Sequence, residues 1–280
     1  FRSIPKIGIR FSFEDIGLCS RFGTEFNTIN FKDIIFLLSK YSISQLESIH
    51  IHFPHRDLTS FSNRIKHLFS IVNKLKESSI QLKSLDIGGG FPSFMPPSVL
   101  KSLGIKKQTN LSDYATIISD YRIKYNLESI PIIFEPGTAI AANTIHLVGN
   151  IKSINNKSNK TYINTDISRT LLGGLKNSVN YPVIFITEDK LKTKNKNSST
   201  AYVLSGFTCV EGDIIEIPDD SNIVPQVGDK LVFSCIGSYS TVFKSPFIRG
   251  DIALFEWDGC ELSLSRRAQT ALDVTSLYVK

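Results

Sequence analysis

The segment Ser84-Leu85-Asp86-Ile87-Gly88-Gly89-Gly90-Phe91-Pro92 decides how this sequence is interpreted. A short apolar run ends in three glycines and a proline. Glycine adopts positive φ and lets the backbone approach a ligand closely. A glycine run directly after a strand can therefore aim backbone N–H groups at an anion such as phosphate. A tight turn without a ligand has the same signature, so the rest of the chain must distinguish the two interpretations.

The composition is that of an ordinary globular protein. The 280-residue chain is 41% hydrophobic and 21% charged. Its net charge of +6 arises from 32 Lys and Arg residues against 26 Asp and Glu residues, and much of the excess lies in residues 152–160 and 190–196. The first run is rich in Asn and Ser, and neither run contains an aromatic residue. We interpret them as solvated loops and expect no nucleic-acid partner.

Cysteine usage and hydropathy indicate the compartment. The cysteines at positions 19, 209, 235 and 260 are widely spaced and form no C-x-x-C motif, which predicts free thiols in a reducing compartment. No apolar run reaches the length of a transmembrane helix, and the first residues do not resemble a signal peptide. We therefore expect a cytoplasmic protein with no membrane partner. The chain does not begin with Met, which leaves open that it is a piece of a longer protein.

Strands and helices alternate along residues 1–145. The pattern predicts the strands Ile7–Phe11, Ser48–Phe53, Leu82–Ile87 and Ile130–Phe134, with a helix capped by Asn30, a second helix capped by Thr59 or Ser60, and a third over Ser112–Tyr125. This alternation is typical of βα units on a parallel sheet. Because ligand-binding groups of a βα barrel lie at strand C-terminal ends, we expect His52, Gly88–Gly90 and Glu135 to converge on one mouth.

Residues 146–280 have a different pattern. The predicted strands, separated by polar and glycine turns, are Ile145–Ile154, Thr161–Asp166, Val183–Thr187, Ala201–Gly206, Asp213–Ile217 and Lys230–Cys235. We therefore predict an α/β fold with two domains. Residues 1–145 form the second half of a (β/α)8 barrel, and residues 146–280 form a β-rich barrel or sandwich. Four strands do not close an eight-stranded barrel, so the first domain needs a partner or an upstream segment.

Seven short motifs follow one another along most of the chain: Ser20–Gly23, His50–His52, Leu85–Pro92, Glu135–Gly137, Gly206–Asp213, Gly237–Tyr239 and Phe247–Gly250. They resemble, in order, the S-[KR]-F-G, H-x-H, glycine-loop, E-P-G-R, G-P-x-C-x-x-x-D, G-A-Y and F-N-G motifs of the fold-type III, pyridoxal-phosphate-dependent decarboxylases. That family includes the ornithine, arginine, diaminopimelate and carboxynorspermidine decarboxylases. The resemblance implies an alanine-racemase-like TIM barrel followed by a β domain.

The resemblance also implies pyridoxal 5'-phosphate as the cofactor. The residues that it assigns to the cofactor phosphate are Gly88, Gly89, Gly90, Gly137, Thr138 and Tyr239. Glu135 would face the pyridine nitrogen and keep it protonated, which makes the ring an electron sink, and His52 would stack on the ring. The alternative for Glu135 is a helix N-cap or a surface carboxylate, that for His52 is a neutral core histidine, and that for Tyr239 is ordinary packing in the β domain.

For catalysis, the resemblance implies loss of the α-carboxylate of a small amino acid as CO₂ from a cofactor aldimine, leaving an amine. Cys209 would reach the active site of a second subunit and protonate the decarboxylated carbon, with His52 as its companion at the cofactor. The alternative for Cys209 is a buried thiol. Arg21 and Asp213 resemble the pair that forms a salt bridge across the homodimer interface of the family.

Three departures from the family pattern qualify these expectations. Nothing matches the Y-A-x-K-A-N context of the Schiff-base lysine, so that lysine is expected on a half-barrel upstream of Phe1. This leaves open a fragment, a split enzyme with a separate N-terminal half-barrel chain, and an inactive relative acting as a binding or regulatory protein. Pro54 and His55 stand where the family has a small residue and a serine near the phosphate. Thr138 replaces the arginine of E-P-G-R.

The substrate also remains open. Val210 stands where the family often has an acidic residue that reads the distal amine of the substrate, and no clear arginine for a distal carboxylate is found. A metal-dependent barrel hydrolase is a rival interpretation, because His50 and His52 lie on one face of a strand. It requires further ligands at later strand ends and leaves the glycine and Glu-Pro-Gly motifs unexplained. We therefore predict no metal.

Overall fold

The computed structural model describes residues 6–92, 95–102, 105, 109–157, 160–172, 181–186, 201–216, 224–244 and 247–278. The chain divides into two compact units, Phe1–Thr144 and Ile145–Lys280. The basic run 190–196 and the predicted strand ends at Thr187 and Ile217 lie outside the described residues. No helix in the described ranges has the length and apolar character needed to cross a lipid bilayer.

The first unit contains a five-stranded parallel sheet in the order β4-β1-β5-β6-β7. Its strands are β1 Gly8–Ser12, β4 Thr24–Glu25, β5 Gln45–Ile51, β6 Gln81–Asp86 and β7 Ile132–Ile133. Between β1 and β4, a small antiparallel hairpin is formed by β2 Glu14–Asp15 and β3 Leu18–Cys19. From β4 onward, helices connect each strand to the next, as parallel pairing requires.

The helices of the first unit are α1 Thr28–Lys40, α2 Leu58–Glu77, α3 Pro97–Ser102, α4 Leu111–Lys124 and α5 Gly137–Ala141. The predicted caps of the first two helices are wrong. Helix α1 begins after Asn27, whose side chain accepts the N–H of Asn30 at 2.9 Å, and α2 begins after Asp57, whose carboxylate accepts the N–H of Ser60 at 2.9 Å. In both cases an extended residue three positions upstream offers an oxygen to the first turn, which places Asn30, Thr59 and Ser60 inside the helices.

The core of the first unit lies between α2 and the sheet. Phe61, Ile65, Leu68 and Phe69 recur at helical spacing on α2, and all four are fully buried. They belong to the same cluster as Ile49 and Ile51 of β5. Each such side chain contributes about 1.5–3 kcal/mol on burial. Because side chains alternate along a strand, the opposite face of β5 carries His50, and His52 continues that face.

The second unit contains a six-stranded sheet in the order β10-β13-β8-β9-β11-β12. Its strands are β8 Leu147–Lys157, β9 Lys160–Thr165, β10 Val183–Ile186, β11 Ala201–Ser205, β12 Ile214–Glu216 and β13 Lys230–Phe233. Every neighbouring pair is antiparallel except β9 and β11, which are parallel. Its core includes Leu147, Ile151, Ile163, Leu204 and Phe233.

Short elements complete the second unit: the 3-10 turn Arg169–Leu172, helix α6 Ser240–Phe243, the hairpin β14 Leu254–Trp257 and β15 Leu262–Arg266, and helix α7 Ala271–Thr275. The predicted fold class, an α/β part with a parallel sheet followed by a β-rich part, is confirmed.

Candidate functional site

Three neighbouring strand ends bring their polar residues together at one edge of the parallel sheet. His50 Nε2 lies 3.5 Å from Glu135 Oε2, and His52 Nδ1 lies 4.0 Å from the same oxygen. The glycine loop, Gly88–Gly90, follows β6 between them, and the Glu135 N–H donates to the Gly88 carbonyl at 3.0 Å. The structure therefore brings together the residues that the strand-end argument selected. We call His50, His52, the glycine loop and Glu135 the strand-end cluster.

The close approach of these strand ends explains two of the glycines. Gly88 has φ +67°, and a Cβ atom there would lie 2.7 Å from His52 Nδ1. A Cβ atom at Gly89 would overlap the carbonyl oxygen of Glu135. A residue with a side chain at either position would push the loop away from its neighbours. The glycines therefore hold the cluster together whether or not a ligand binds.

The N–H groups of the glycine loop are largely occupied by the chain itself. The Gly88 N–H donates to Asp86 Oδ1 at 2.9 Å, and the Gly89 N–H donates to His52 Nδ1 at 3.0 Å. Within the described part of the chain, the Gly90 N–H has no acceptor. The sequence assigned all three N–H groups to a phosphate. The geometry leaves one of them for that purpose.

The hydrogen bond from Gly89 fixes the protonation state of His52. Because Nδ1 accepts this bond, it carries no proton, and the ring is neutral with its proton on Nε2. Burial is the largest cause that lowers the pKa of His52 to about 4, and the nearby charges of Arg64 and Arg10, together with His50 and Arg56, add to it. At neutral pH the cluster therefore presents a flat, uncharged imidazole.

Three arginines surround this imidazole, and sequence analysis missed all of them. Arg64 on α2 is 1% exposed and donates from Nη1 to the Gly89 carbonyl at 3.1 Å. Burial lowers its pKa to about 10, so it remains protonated at neutral pH. Arg10 on β1 stands beside His50 in the sheet register. Arg56 Nη2 lies 3.5 Å from Thr138 Oγ1. Together they make this edge of the sheet electropositive.

The three arginines differ in how clearly the sequence indicates that they belong to a site. Arg10 interrupts an apolar strand, and Arg64 stands among apolar residues on the buried face of a helix. A charged residue in an otherwise apolar stretch is rarely buried unless it has a partner. Both positions could therefore have been selected from the sequence as candidate site residues. Arg56 lies in a polar loop, where a charged residue is ordinary. Only the fold places it beside Thr138.

A metal ion is the competing occupant of the cluster. One ligand atom each from His50, His52 and Glu135 lie within 4.8 Å of one another, so Glu135 supplies the third ligand that the hydrolase interpretation required. However, His52 Nδ1 is already an acceptor for Gly89, and three guanidinium groups contribute positive charge nearby. A cation is repelled by this field and an anion is attracted. The electrostatics therefore favour an anionic ligand.

The other predicted residues of the first unit are Gly137 and Thr138, at the start of α5. The Gly137 N–H donates to the Glu135 carbonyl at 2.9 Å, and a Cβ atom at Gly137 would meet nothing. Arg21 is exposed, with its guanidinium 4.1 Å from the centroid of the Phe22 ring. The roles of Gly137 and Thr138 at a phosphate, and of Arg21 at a dimer interface, stay predictions.

Cys209, Asp213 and Tyr239 lie in the second unit. Cys209 is exposed, and Tyr239 has φ +65° and is 55% exposed. Asp213 is buried, and its carboxylate accepts the Arg169 N–H at 2.8 Å and the Thr208 hydroxyl at 2.6 Å. This carboxylate is thus held by groups of its own unit. Its pairing with Arg21 of a second copy, and the roles of Cys209 and Tyr239 at a cofactor, stay predictions.

Comparison with known proteins identifies the class. Residues 18–142 match the family model of the pyridoxal-dependent decarboxylase, pyridoxal binding domain. Diaminopimelate decarboxylases are similar in sequence. That of Vibrio cholerae is 25% identical over 228 residues, which cover 79% of this chain and 48% of the relative, and that of Haemophilus influenzae is 25% identical over 239 residues, covering 81% and 51%. The chain thus spans about half the length of the curated relatives it matches.

Solved structures show the same fold. Diaminopimelate decarboxylase from Helicobacter pylori complexed with L-lysine superposes with a TM-score of 0.72 at 20% identity, covering 91% of this chain and 60% of that one. Arginine decarboxylase of Paramecium bursaria Chlorella virus gives 0.65 at 19% identity, covering 86% and 62%. The parallel sheet and the separate β-rich unit are therefore the fold of this class of decarboxylases. In sequence and fold the chain is similar to the fold-type III, pyridoxal-phosphate-dependent decarboxylases, the family that its motifs resemble.

Proposed function

We propose that this chain binds pyridoxal 5'-phosphate at the strand-end cluster and takes part in the decarboxylation of an amino acid. The observation that carries this proposal is the meeting of a carboxylate, a neutral imidazole and a glycine loop within an electropositive edge of a parallel sheet. A doubly charged phosphate on a flat aromatic ring is complementary to that arrangement.

The residues present fit the two ends of such a molecule. Three donors are suited to a phosphate: the N–H of Gly90, the hydroxyl of Thr138 and the guanidinium of Arg56. Glu135, whose side chain is 50% exposed, offers a carboxylate to a ring nitrogen. Two other glycine N–H groups already have acceptors, so the phosphate is held here by side chains as well as by backbone. Bound pyridoxal phosphate supplies an electron sink for the carbanion left when CO₂ departs.

Each residue of the cluster has a defined task under this proposal. The Glu135 carboxylate would accept a hydrogen bond from the N–H of the protonated pyridine ring and so keep that nitrogen charged. His52 offers a neutral face for stacking, since a charged imidazolium would repel a protonated ring. Gly88 and Gly89 allow the loop to lie against both residues. Cys209, from a second copy of the chain, donates a proton to the decarboxylated carbon in the proposed homodimer, as the family pattern implies.

The active enzyme also needs a lysine that this chain does not offer in the family context. In the described residues the parallel sheet has two open edges, at β4 and β7, each only two residues long. The unpaired N–H and C=O groups of an edge strand are a template to which another strand can pair. We propose that a lysine-bearing half-barrel, in the same polypeptide or in a separate chain, completes both the sheet and the site.

The substrate class proposed here is a small amino acid of the diaminopimelate and ornithine type. Diaminopimelate and arginine decarboxylases stand among the similar proteins. Residues at the distal end of the substrate depart from those patterns, so a panel of meso-diaminopimelate, ornithine, arginine and lysine is the appropriate assay. Release of CO₂ from one of the four, dependent on added pyridoxal phosphate, identifies the substrate.

Intact mass of the protein from its native source, before and after borohydride reduction, tests the proposal. Reduction fixes a pyridoxyl group on the lysine that carries it. A species heavier than the 280-residue chain that gains this group supports a decarboxylase in which the chain is one part. A co-purifying half-barrel that carries the group supports a split enzyme. A 280-residue species with neither adduct nor lysine-bearing partner contradicts the proposal and favours an inactive relative acting by binding.

A further inference from the structure

We infer that Arg56 supplies the positive charge of the phosphate subsite, in place of the arginine that Thr138 has replaced. This inference rests on the proposed function and identifies a residue that the family pattern does not assign. Because the N–H groups of Gly88 and Gly89 already have acceptors, side chains near the glycine loop are needed to bind a phosphate.

Arg56 lies between the two loops to which a phosphate is assigned. Its Nη2 atom is 3.5 Å from Thr138 Oγ1, at the start of α5. On the other side, a Cβ atom at Gly90 would lie 3.8 Å from Arg56 Cγ. The side chain therefore spans from Gly90, which retains an N–H for a ligand, to Thr138, which carries a hydroxyl. A phosphate held by both groups is within reach of the guanidinium.

The backbone of Arg56 is fixed by the core. Tyr114 Oη donates to the Arg56 carbonyl at 2.7 Å, and the Tyr114 ring is buried in edge-on contact with Phe61 and Phe91. The base of the arginine is thus held by a rigid aromatic cluster. A positioned guanidinium loses less side-chain entropy on binding an anion than a mobile one does.

The neighbouring residue does not compete for this role. His55 stands where the family has a serine near the phosphate, yet its Nδ1 lies 3.5 Å from Asp15 Oδ2. Asp15 is buried and accepts Asn63 Nδ2 at 2.9 Å and the Ser60 hydroxyl. His55 is therefore held toward Asp15. With serine absent at 55 and arginine absent at 138, Arg56 is the cation located between the two loops.

A binding experiment without an aldehyde tests this inference. Pyridoxine 5'-phosphate and pyridoxine share a ring but differ in the phosphate, and neither forms a Schiff base with surface lysines. Calorimetry on the full protein gives the affinity for each ligand. The ratio of the affinity for pyridoxine 5'-phosphate to that for pyridoxine measures how much the phosphate contributes to binding. We expect Arg56→Gln to reduce this ratio about 10- to 100-fold, the scale of one lost charge-assisted contact. Lys32→Gln, an exposed cation on α1, is the matched charge control and leaves the ratio unchanged.

A charge relocation provides the second variant. Thr138→Arg in the Arg56→Gln background restores the family arrangement and should recover most of the lost ratio. Should Arg56→Gln alone fail to fold, Arg56→Lys keeps the charge without the planar fork, and it should show an intermediate ratio. Recovery by Thr138→Arg supports the inference.

The outcomes separate this inference from the proposed function. An unchanged ratio in Arg56→Gln, with tight binding of pyridoxine 5'-phosphate, overturns the role of Arg56 and leaves the cofactor site standing. Equal affinity of the unaltered protein for both ligands, or binding of neither, overturns the phosphate subsite itself and this inference with it.

Discussion

The protonation state of His52 is a property of one hydrogen bond. A proton on Nδ1 would remove the acceptor of the Gly89 N–H and place a positive charge near three arginines. The ring is therefore held neutral by its surroundings. A catalytic role that required a charged imidazole at this position would be incompatible with the geometry.

We expect this state to give a defined pH dependence. The pKa of His52 falls from 6.5 to about 4 on folding, so the unfolded chain binds a proton more readily between those values. The free energy of unfolding should decrease as the pH falls from 6.5 toward 4. Below pH 4, the titration of His52 should cause no further decrease. Thermal unfolding of the parent and of His52→Gln, measured from pH 7 to 4.5, checks this.

His52→Gln keeps an acceptor for Gly89 but does not titrate, so its Tm should depend less on pH. His67, which is stacked on Phe13 and has a pKa lowered by burial, contributes in the same direction in both proteins. The same pH dependence in parent and variant would show that His52 is not the group responsible.

Glu135 is the second residue with a specific expectation. In the assembled enzyme, Glu135→Gln should lower kcat by about 100-fold or more, the scale of one lost electrostatic contact at a reacting group, while the folded structure is kept. Steady-state CO₂ release measures this. Glu128→Gln, an exposed carboxylate before β7, is the matched control. Full activity of the Glu135 variant would remove the carboxylate from the proposed mechanism.

At the scale of the element, the contact between the loops after β6 and β7 depends on Gly89. Gly89→Ala places a methyl group against the Glu135 carbonyl, and we expect it to cost about 1–3 kcal/mol of unfolding free energy, as overpacking does. Urea denaturation measures the change. Gly137→Ala, where the new methyl meets open space, should cost far less. Equal effects at both positions would contradict the close approach.

The sequence predicted the strand ends better than it predicted what surrounds them. Alternating βα units and glycine spacing were enough to place His52, Gly88 and Glu135 at one edge, because parallel strands share the polarity of their ends. Arg56 carries no periodic signal and is positioned by a tyrosine 58 residues later in the chain. Contacts of that range follow from the packing of α4 on α2 and are not encoded in any local pattern.

Helix boundaries failed for a related reason. Asn27 and Asn30 are equally good caps by residue type, and Asp57 competes with Thr59 and Ser60. What decides between them is which residue is extended where the chain leaves the preceding strand, and this depends on sheet geometry. Occupancy of the Gly88 and Gly89 N–H groups was unpredictable for the same reason, since it depends on where His52 and Asp86 stand after folding.

At the scale of the whole molecule, the two units build their sheets in different ways. In the first unit, β1, β5, β6 and β7 pair in chain order, one neighbour after another. In the second unit, β10 follows β9 in the chain but lies at one end of the sheet. There β10 pairs with β13, and β13 pairs with β8.

The order β10-β13-β8-β9-β11-β12 has a kinetic consequence. Among the described strands, β10 pairs with β13, whose residues 230–233 come much later in the chain, and β11 adds in parallel to β9 from across a long connection. Closing such distant contacts costs chain entropy before any pairing compensates for it, which slows folding. In pulsed amide hydrogen exchange during refolding from urea, we therefore expect β10 and β13 to gain protection later than β5 and β6 of the first unit. During synthesis, β10 would leave the ribosome well before β13, the strand with which it pairs, and would have to wait for it.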